Sequence, residues 1–206
     1  MTLRTAVVYG SARRERSGIK AARFIVRQLK ERGHQVDLVD SEQYQLPFLD
    51  LMYKEYEPGT APEAMAAVGD IFARADGYMV LSAEYNHSLP AALKNLLDHY
   101  QSEYHYKPSA IVTYSAGPFG GVRGLINLRA ILAELGTPSI PSAFPISAVG
   151  SSFDDEGNAL DESYDRRVVK FLDEYEWYAN ALQRARDHQA CEDHVPTQQA
   201  LCRGGD

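Results

Sequence analysis

The sequence predicts a three-layer α/β/α domain around a doubly wound, five-stranded parallel sheet of strand order 2-1-3-4-5. Three observations predict it. Short apolar runs alternate with stretches whose apolar residues recur every three or four positions, which reads as strand followed by helix, repeated. Parallel neighbours need right-handed helical crossovers, and the stretches between the runs are long enough to supply them. Turns rich in small or polar residues follow strands one, three and four, which this order places side by side.

Ala6-Val7-Val8-Tyr9 marks the first strand, spanning residues 5–9. Ile19, Ala22, Ile25, Val26 and Leu29 then keep helical spacing from about Gly18 to Arg32, with Gly33 as the left-handed stop. Gln35 to Asp40 alternates, as a strand nearer the sheet edge does. A long connection follows, with Leu46-Pro47-Phe48-Leu49, Tyr53 and Tyr56; its length marks it as functional or as an interface. Thr60 and Glu63 have capping-box spacing before a helix striped by Met65, Val68, Ile71, Phe72 and Ala75, with Gly77 as its end.

Tyr78 to Ser82 is a central strand, and Pro90 opens a helix carrying Leu93, Leu96, Leu97 and Tyr100. Ala110 to Tyr114 is the fourth strand. The helix after it carries Leu125, Leu128, Ile131, Leu132 and Leu135 and stops at Gly136. Ser139 to Ile146 holds a proline-broken fifth strand, 154–158 a solvated turn, and Asp161 to Arg186 the last helix. From His188 onward periodicity is lost. The expected organisation is one domain over 1–187 and a flexible tail over 188–206.

Composition narrows the function. A net charge of −7 argues against non-specific nucleic-acid binding, which rests on neutralising phosphates. No apolar run approaches the roughly 18 residues of a membrane span. Thr2 to Thr5 lead straight into the first strand, leaving no room for a signal peptide, and Cys191 and Cys202 make no disulfide framework. A cytoplasmic protein without membrane or nucleic-acid partners is expected.

The first turn, Gly10 to Gly18, offers Ser11 and Ser17 hydroxyls, Arg13, Arg14 and Arg16, and the unpaired N–H groups of a helix start. It suits a phosphate, and equally a solvated basic loop with Ser17 as an ordinary N-cap. It lacks the dinucleotide and P-loop glycine patterns, which points the phosphate reading towards a mononucleotide. The second turn, Glu84 to Pro90, adds a ring, an amide and an imidazole. The third, Ser115 to Gly121, is rich enough in glycine for its backbone to approach a planar ligand. A flat heterocycle on a phosphate tail would use all three, and FMN is the simplest such ligand at a flavodoxin-like switch point.

Taken in order, these stretches resemble the NADPH-dependent FMN reductases, which include quinone and azo-compound reductases. Gly10-Ser11-x-Arg13 with Arg16-Ser17-Gly18 is similar to that family's phosphate loop, and Ser115-Ala116-Gly117-x-x-Gly120-Gly121 to its third loop. Glu84-Tyr85-Asn86-His87-Ser88-x-Pro90-x-x-Leu93-Lys94-Asn95-x-x-Asp98 resembles its most diagnostic stretch. The resemblance implies FMN as cofactor, NADPH or NADH as co-substrate, a small-molecule electron acceptor, and a homodimer or homotetramer. It implies that Ser11, Arg13, Arg16, Ser17 and Gly18 hold the phosphate. Glu84, Tyr85, Asn86 and His87 would line the ribityl chain and ring edge, and Ser115, Ala116, Gly117, Gly120 and Gly121 would approach the isoalloxazine. The 42–59 connection and the helix after Pro90 would complete the pocket of a second subunit. No catalytic side chain is expected. The alternatives are a flavodoxin-type electron carrier and a flavin-free binding protein on the same scaffold.

Glu84 reads as a structural carboxylate accepting from nearby backbone. Lys94, Asn95 and Asp98 lie within one helical turn and can pair locally or across a dimer. His99, His105, Tyr100, Tyr104 and Tyr106 are expected at an interface or pocket rim. His188, Cys191, His194 and Cys202 match no common zinc spacing, so no metal site is expected.

Overall fold

The computed structural model describes residues 2–191 of the chain. Its strands are β1 (Arg4–Tyr9), β2 (Gln35–Asp40), β3 (Gly77–Ala83), β4 (Ser109–Tyr114) and β5 (Ser139–Ile146). All pair in parallel in the order β2-β1-β3-β4-β5. The helices are α1 (Gly18–Glu31), α2 (Glu63–Arg74), α3 (Ala91–Asp98), α4 (Val122–Glu134), α5 (Val149–Ser152) and α6 (Glu162–Cys191).

Period-two alternation divides the strands between two cores. Val7 and Tyr9, Met79 and Leu81, and Ala110 and Val112 face α1 and α6. Ala6 and Val8, Tyr78 and Val80, and Ile111 face α2, α3 and α4. With both faces covered, the central strands read as continuous apolar runs. The register sets Tyr9 beside Asp40 and Leu81, and Tyr114 beside Ala83 and Ile146. All five strands therefore end at one edge, and the turns after them share it.

Several local expectations are corrected. Thr60 makes no capping box: its hydroxyl donates to the Glu57 carbonyl at 2.8 Å, and α2 starts after Pro62. The residue before a proline is disfavoured in the α region, so the helix cannot begin at Ala61. Gly77 does not end α2 but opens β3. A Cβ there would lie 2.7 Å from the Tyr175 hydroxyl and 2.9 Å from the Pro108 carbonyl. α6 continues past Arg186 to Cys191, and the short α5 has no counterpart in the expected elements. His194 and Cys202 lie outside the described residues, as does the expected tail from residue 192.

His99, Tyr100 and Tyr104 are core residues, not rim or interface. The phenols can be buried because each finds a carbonyl, Tyr100 that of Met65 at 2.9 Å and Tyr104 that of Leu97 at 3.0 Å. Tyr106 is the exposed member of that segment.

Candidate cofactor site

The turns after β1, β3 and β4 converge on a cavity of about 470 Å³ at the carboxyl edge of the sheet. That volume lies in the range of small-molecule sites. Ser11, Arg13, Arg16, Ser17 and Gly18 line it from the first turn, Glu84 and Tyr85 from the second, and Ser115 and Ala116 from the third. Asn86, His87, Gly117, Gly120 and Gly121 stand outside that wall.

Of the first turn's three arginines, Arg13 and Arg16 line the cavity and the exposed Arg14 does not; of those two, Arg13 is free and Arg16 engaged. Arg16 pairs with both Asp40 and Glu42 and donates to the Ser11 carbonyl at 3.2 Å. Its guanidinium carbon also sits 5.4 Å from the Tyr9 ring centroid. Arg13 is exposed and, among the described residues, makes no ion pair. Ser11 is buried and shares a hydrogen bond of 3.1 Å with the Tyr85 hydroxyl, joining the first turn to the second. Ser17 stands at the N-cap of α1 but spends no side-chain hydrogen bond on capping. The first turn of α1 carries no acidic residue, so its positive end is left for a ligand.

The second turn is a tight hairpin. Tyr85 and Ser88 exchange backbone hydrogen bonds of 2.9 and 3.0 Å, and Asn86 (φ 50°) and His87 (φ 67°) are both left-handed. Two positive φ values in a row define a type I′ turn, and His87 is strained there. Glu84 does what its sequence position suggests. One carboxylate oxygen accepts the Arg123 backbone N–H at 3.0 Å, and the other lies 3.3 Å from the Arg123 guanidinium. It therefore holds the start of α4, which favours an acidic partner.

In the third turn Gly121 (φ 74°) lies against the Tyr114 backbone, where a Cβ would come within 2.7 Å. Gly117 differs, since no atom lies within 4 Å of the position its Cβ would take. Its carbonyl accepts from the Ser115 hydroxyl at 2.9 Å and from the Ala148 N–H at 3.0 Å. The turn is thus fixed in place while one side of it stays open to a flat ring.

The sequence reading missed the fourth wall, Ala148 to Ser151, which includes most of α5. A signal was present: Ser147-Ala148-Val149-Gly150-Ser151 follows a parallel strand, so it had to emerge at the same edge. Ala83, Tyr114 and Glu15 were missed as well.

The donor set fits FMN. Two hydroxyls, a free arginine and an uncompensated helix start suit one phosphate, and Ser115 and Ala116, with the open Gly117 backbone just outside the wall, leave room for a planar ring. The sequence profile of the NADPH-dependent FMN reductases matches residues 3–150. A 2-hydroxy-1,4-benzoquinone reductase from Burkholderia sp is 29% identical over 186 residues, covering 85% of this chain and 95% of that protein. A quinone reductase from Pseudomonas putida is 31% identical, covering 77% and 85%. Among solved structures, the flavoenzyme NAD(P)H:(acceptor) oxidoreductase FerB of Paracoccus denitrificans superposes with a TM-score of 0.68 at 21% identity, over 89% of this chain and 98% of that one. At that identity the likeness speaks for the fold. The profile match takes in all three turns that build the cavity, and on it the chain belongs to the NADPH-dependent FMN reductase family, flavin oxidoreductases that use FMN and a reduced nicotinamide.

Proposed function

We propose that the protein reduces a quinone or a similar small oxidised acceptor with NADPH, using FMN held at the β1–β3–β4 edge. The observation that carries this is the cavity itself: an acid-free helix start with hydroxyl and arginine donors, faced by Ser115 and Ala116 of the third turn, with the open backbone of Gly117 next in the chain just outside the wall. Bound FMN supplies the hydride chemistry. The protein binds and orients. Ser11, Ser17 and Arg13 hold the phosphate, Arg16 braces their loop, and Tyr85 fixes Ser11 across the cavity. Ser115 turns its hydroxyl onto the Gly117 carbonyl and ties the third loop. NADPH gives up a hydride and becomes NADP⁺. With one solvent proton, that hydride converts a quinone to its hydroquinone, so no side-chain acid or nucleophile is needed.

The same reading includes residues 1–187 as the FMN-binding unit, a cytoplasmic setting, and a homodimer or homotetramer. Support for the oligomer is the 41–61 connection, where Phe48 is 88% exposed beside the partly exposed Leu49 and Leu51. Rapid mixing of FMN-loaded protein with NADPH should bleach the yellow flavin, and added benzoquinone should restore the colour. Failure to take up FMN would favour a flavin-free binding protein. Uptake without bleaching would favour an electron carrier.

A further inference from the structure

Tyr114 is the last residue of β4, remote in sequence from the phosphate loop, yet its hydroxyl lies under the start of α1. A Cβ on Gly18, the first residue of α1, would fall 2.5 Å from the Tyr114 hydroxyl and 2.3 Å from its ring. Glycine at 18 thus leaves the space that the phenol fills. Both the ring and the backbone of Tyr114 are held. The ring packs on Tyr9, with centroids 6.2 Å apart and planes 28° from parallel. Its backbone carbonyl accepts the Glu84 N–H at 3.2 Å, and Gly121 closes on its backbone.

Tyr114 is only 5% exposed, and its hydroxyl, though near those of Tyr9 and Ser11, is in hydrogen-bonding geometry with no partner among the described residues. Other core tyrosines behave differently: Tyr78, Tyr100 and Tyr104 all donate to carbonyls. A buried hydroxyl without a partner is costly, and one that lines a cavity at a helix start is placed for a ligand. Burial holds its pKa well above 10, so it stays a donor at neutral pH.

We propose that the Tyr114 hydroxyl is a phosphate donor, forming the floor of the anion site with Ser11, Ser17 and the first N–H groups of α1. The ligand class is a phosphate monoester, and the inference rests on the reading of this cavity as an FMN site. A neutral phenol adds a directed hydrogen bond without adding charge. It thereby supplements Arg13 in a loop whose other inward arginine is already paired with carboxylates.

Tyr114→Phe removes the hydroxyl and keeps the ring that fills the Gly18 gap. Titrated into apoprotein, FMN should bind the variant about ten- to a hundredfold more weakly than wild type, because a hydrogen bond to a charged group is lost. Riboflavin, which lacks the phosphate, should bind both proteins equally. The apo variant should melt at the same temperature as wild type or above it, since an unsatisfied buried group has gone, while its stabilisation by added FMN should shrink. Equal FMN affinity in variant and wild type would overturn the inference and leave the FMN reading standing. Equal losses for FMN and riboflavin would overturn it too, making Tyr114 a packing residue. Wild type that binds neither flavin would overturn the FMN reading, and this inference with it.

Discussion

Removing Arg16 leaves the Asp40 carboxylate, at 8% side-chain exposure, without its guanidinium. Breaking a largely buried pair from one side costs more than the pair contributed, because the remaining charge is stranded. Arg16→Ala should therefore lower folding stability by about 2–4 kcal/mol, read from denaturant melts of the apoprotein. A loss below about 0.5 kcal/mol, as for an exposed pair, would contradict this. Arg13 is the opposite case, exposed and without an ion pair among the described residues. Arg13→Ala should leave the apoprotein melt unchanged and weaken FMN roughly ten- to a hundredfold, with riboflavin unaffected. A weakened riboflavin complex would instead make Arg13 a shaper of the loop. Sequence alone offered both arginines for the phosphate. The carboxylates that capture Arg16 come from the end of β2 and just beyond, and parallel pairing of Tyr9 with Asp40 brings them there.

At the scale of elements, the 41–61 connection is tied down by one side chain of α3. The Asn95 amide donates to the Pro47 carbonyl at 2.8 Å, and its oxygen accepts the Leu49 N–H at 3.1 Å, as a neighbouring strand would. Tyr53 is anchored separately, its N–H donating to the His99 carbonyl at 2.8 Å. Asn95→Ala should speed hydrogen exchange at Leu49 and leave Tyr53 protected. Asn95→Asp, which keeps the acceptor and loses the donor, should retain most of the Leu49 protection. Unchanged exchange at Leu49 in the alanine variant would show that something else holds the connection. The sequence placed Asn95 within one helical turn of Lys94 and Asp98, and the Lys94–Asp98 pair does form locally. It gave no hint that the amide reaches back some forty-six residues, since hydrogen-bond partners at that range depend on how α3 lies against the connection.

For the molecule as a whole, buried phenols set the alkaline limit. Burial raises the pKa of Tyr9, Tyr78, Tyr100, Tyr104, Tyr114 and Tyr175 above the ordinary value of 10. Each stays protonated in the fold while its unfolded counterpart ionises, so their contribution is full below about pH 10 and is lost as pH rises beyond it. Lys107 acts with the opposite sign. Its ammonium caps the end of α2 on the Phe72 and Ala73 carbonyls, both at 2.8 Å, and burial lowers its pKa from 10.5 to about 8. Above about pH 8 the folded chain sheds that proton while the unfolded chain keeps it, so this group adds stability up to about pH 10.5. Denaturant melts should show stability level or rising from pH 8 to about 10, then falling steeply, with the tyrosinate absorbance of these six of the thirteen tyrosines appearing together with unfolding. The tyrosinate signal of all thirteen tyrosines appearing before unfolding would place these six phenols nearer to solvent than the structure does.

Strand order, the shared edge and the three turns were all legible in the sequence, because periodicity, glycine stops and parallel crossovers are local or topological rules. With them came the FMN-type cavity and the structural part played by Glu84. Tertiary structure alone decided which arginine is free, that α5 closes the site, and that His99, Tyr100 and Tyr104 belong to the core. It also revealed a phenol from β4 beneath the start of α1. Each of these depends on which side chains far apart in the chain come within a few ångströms of one another. Hydrogen bonds, ion pairs and burial act at that range, and no local pattern encodes it.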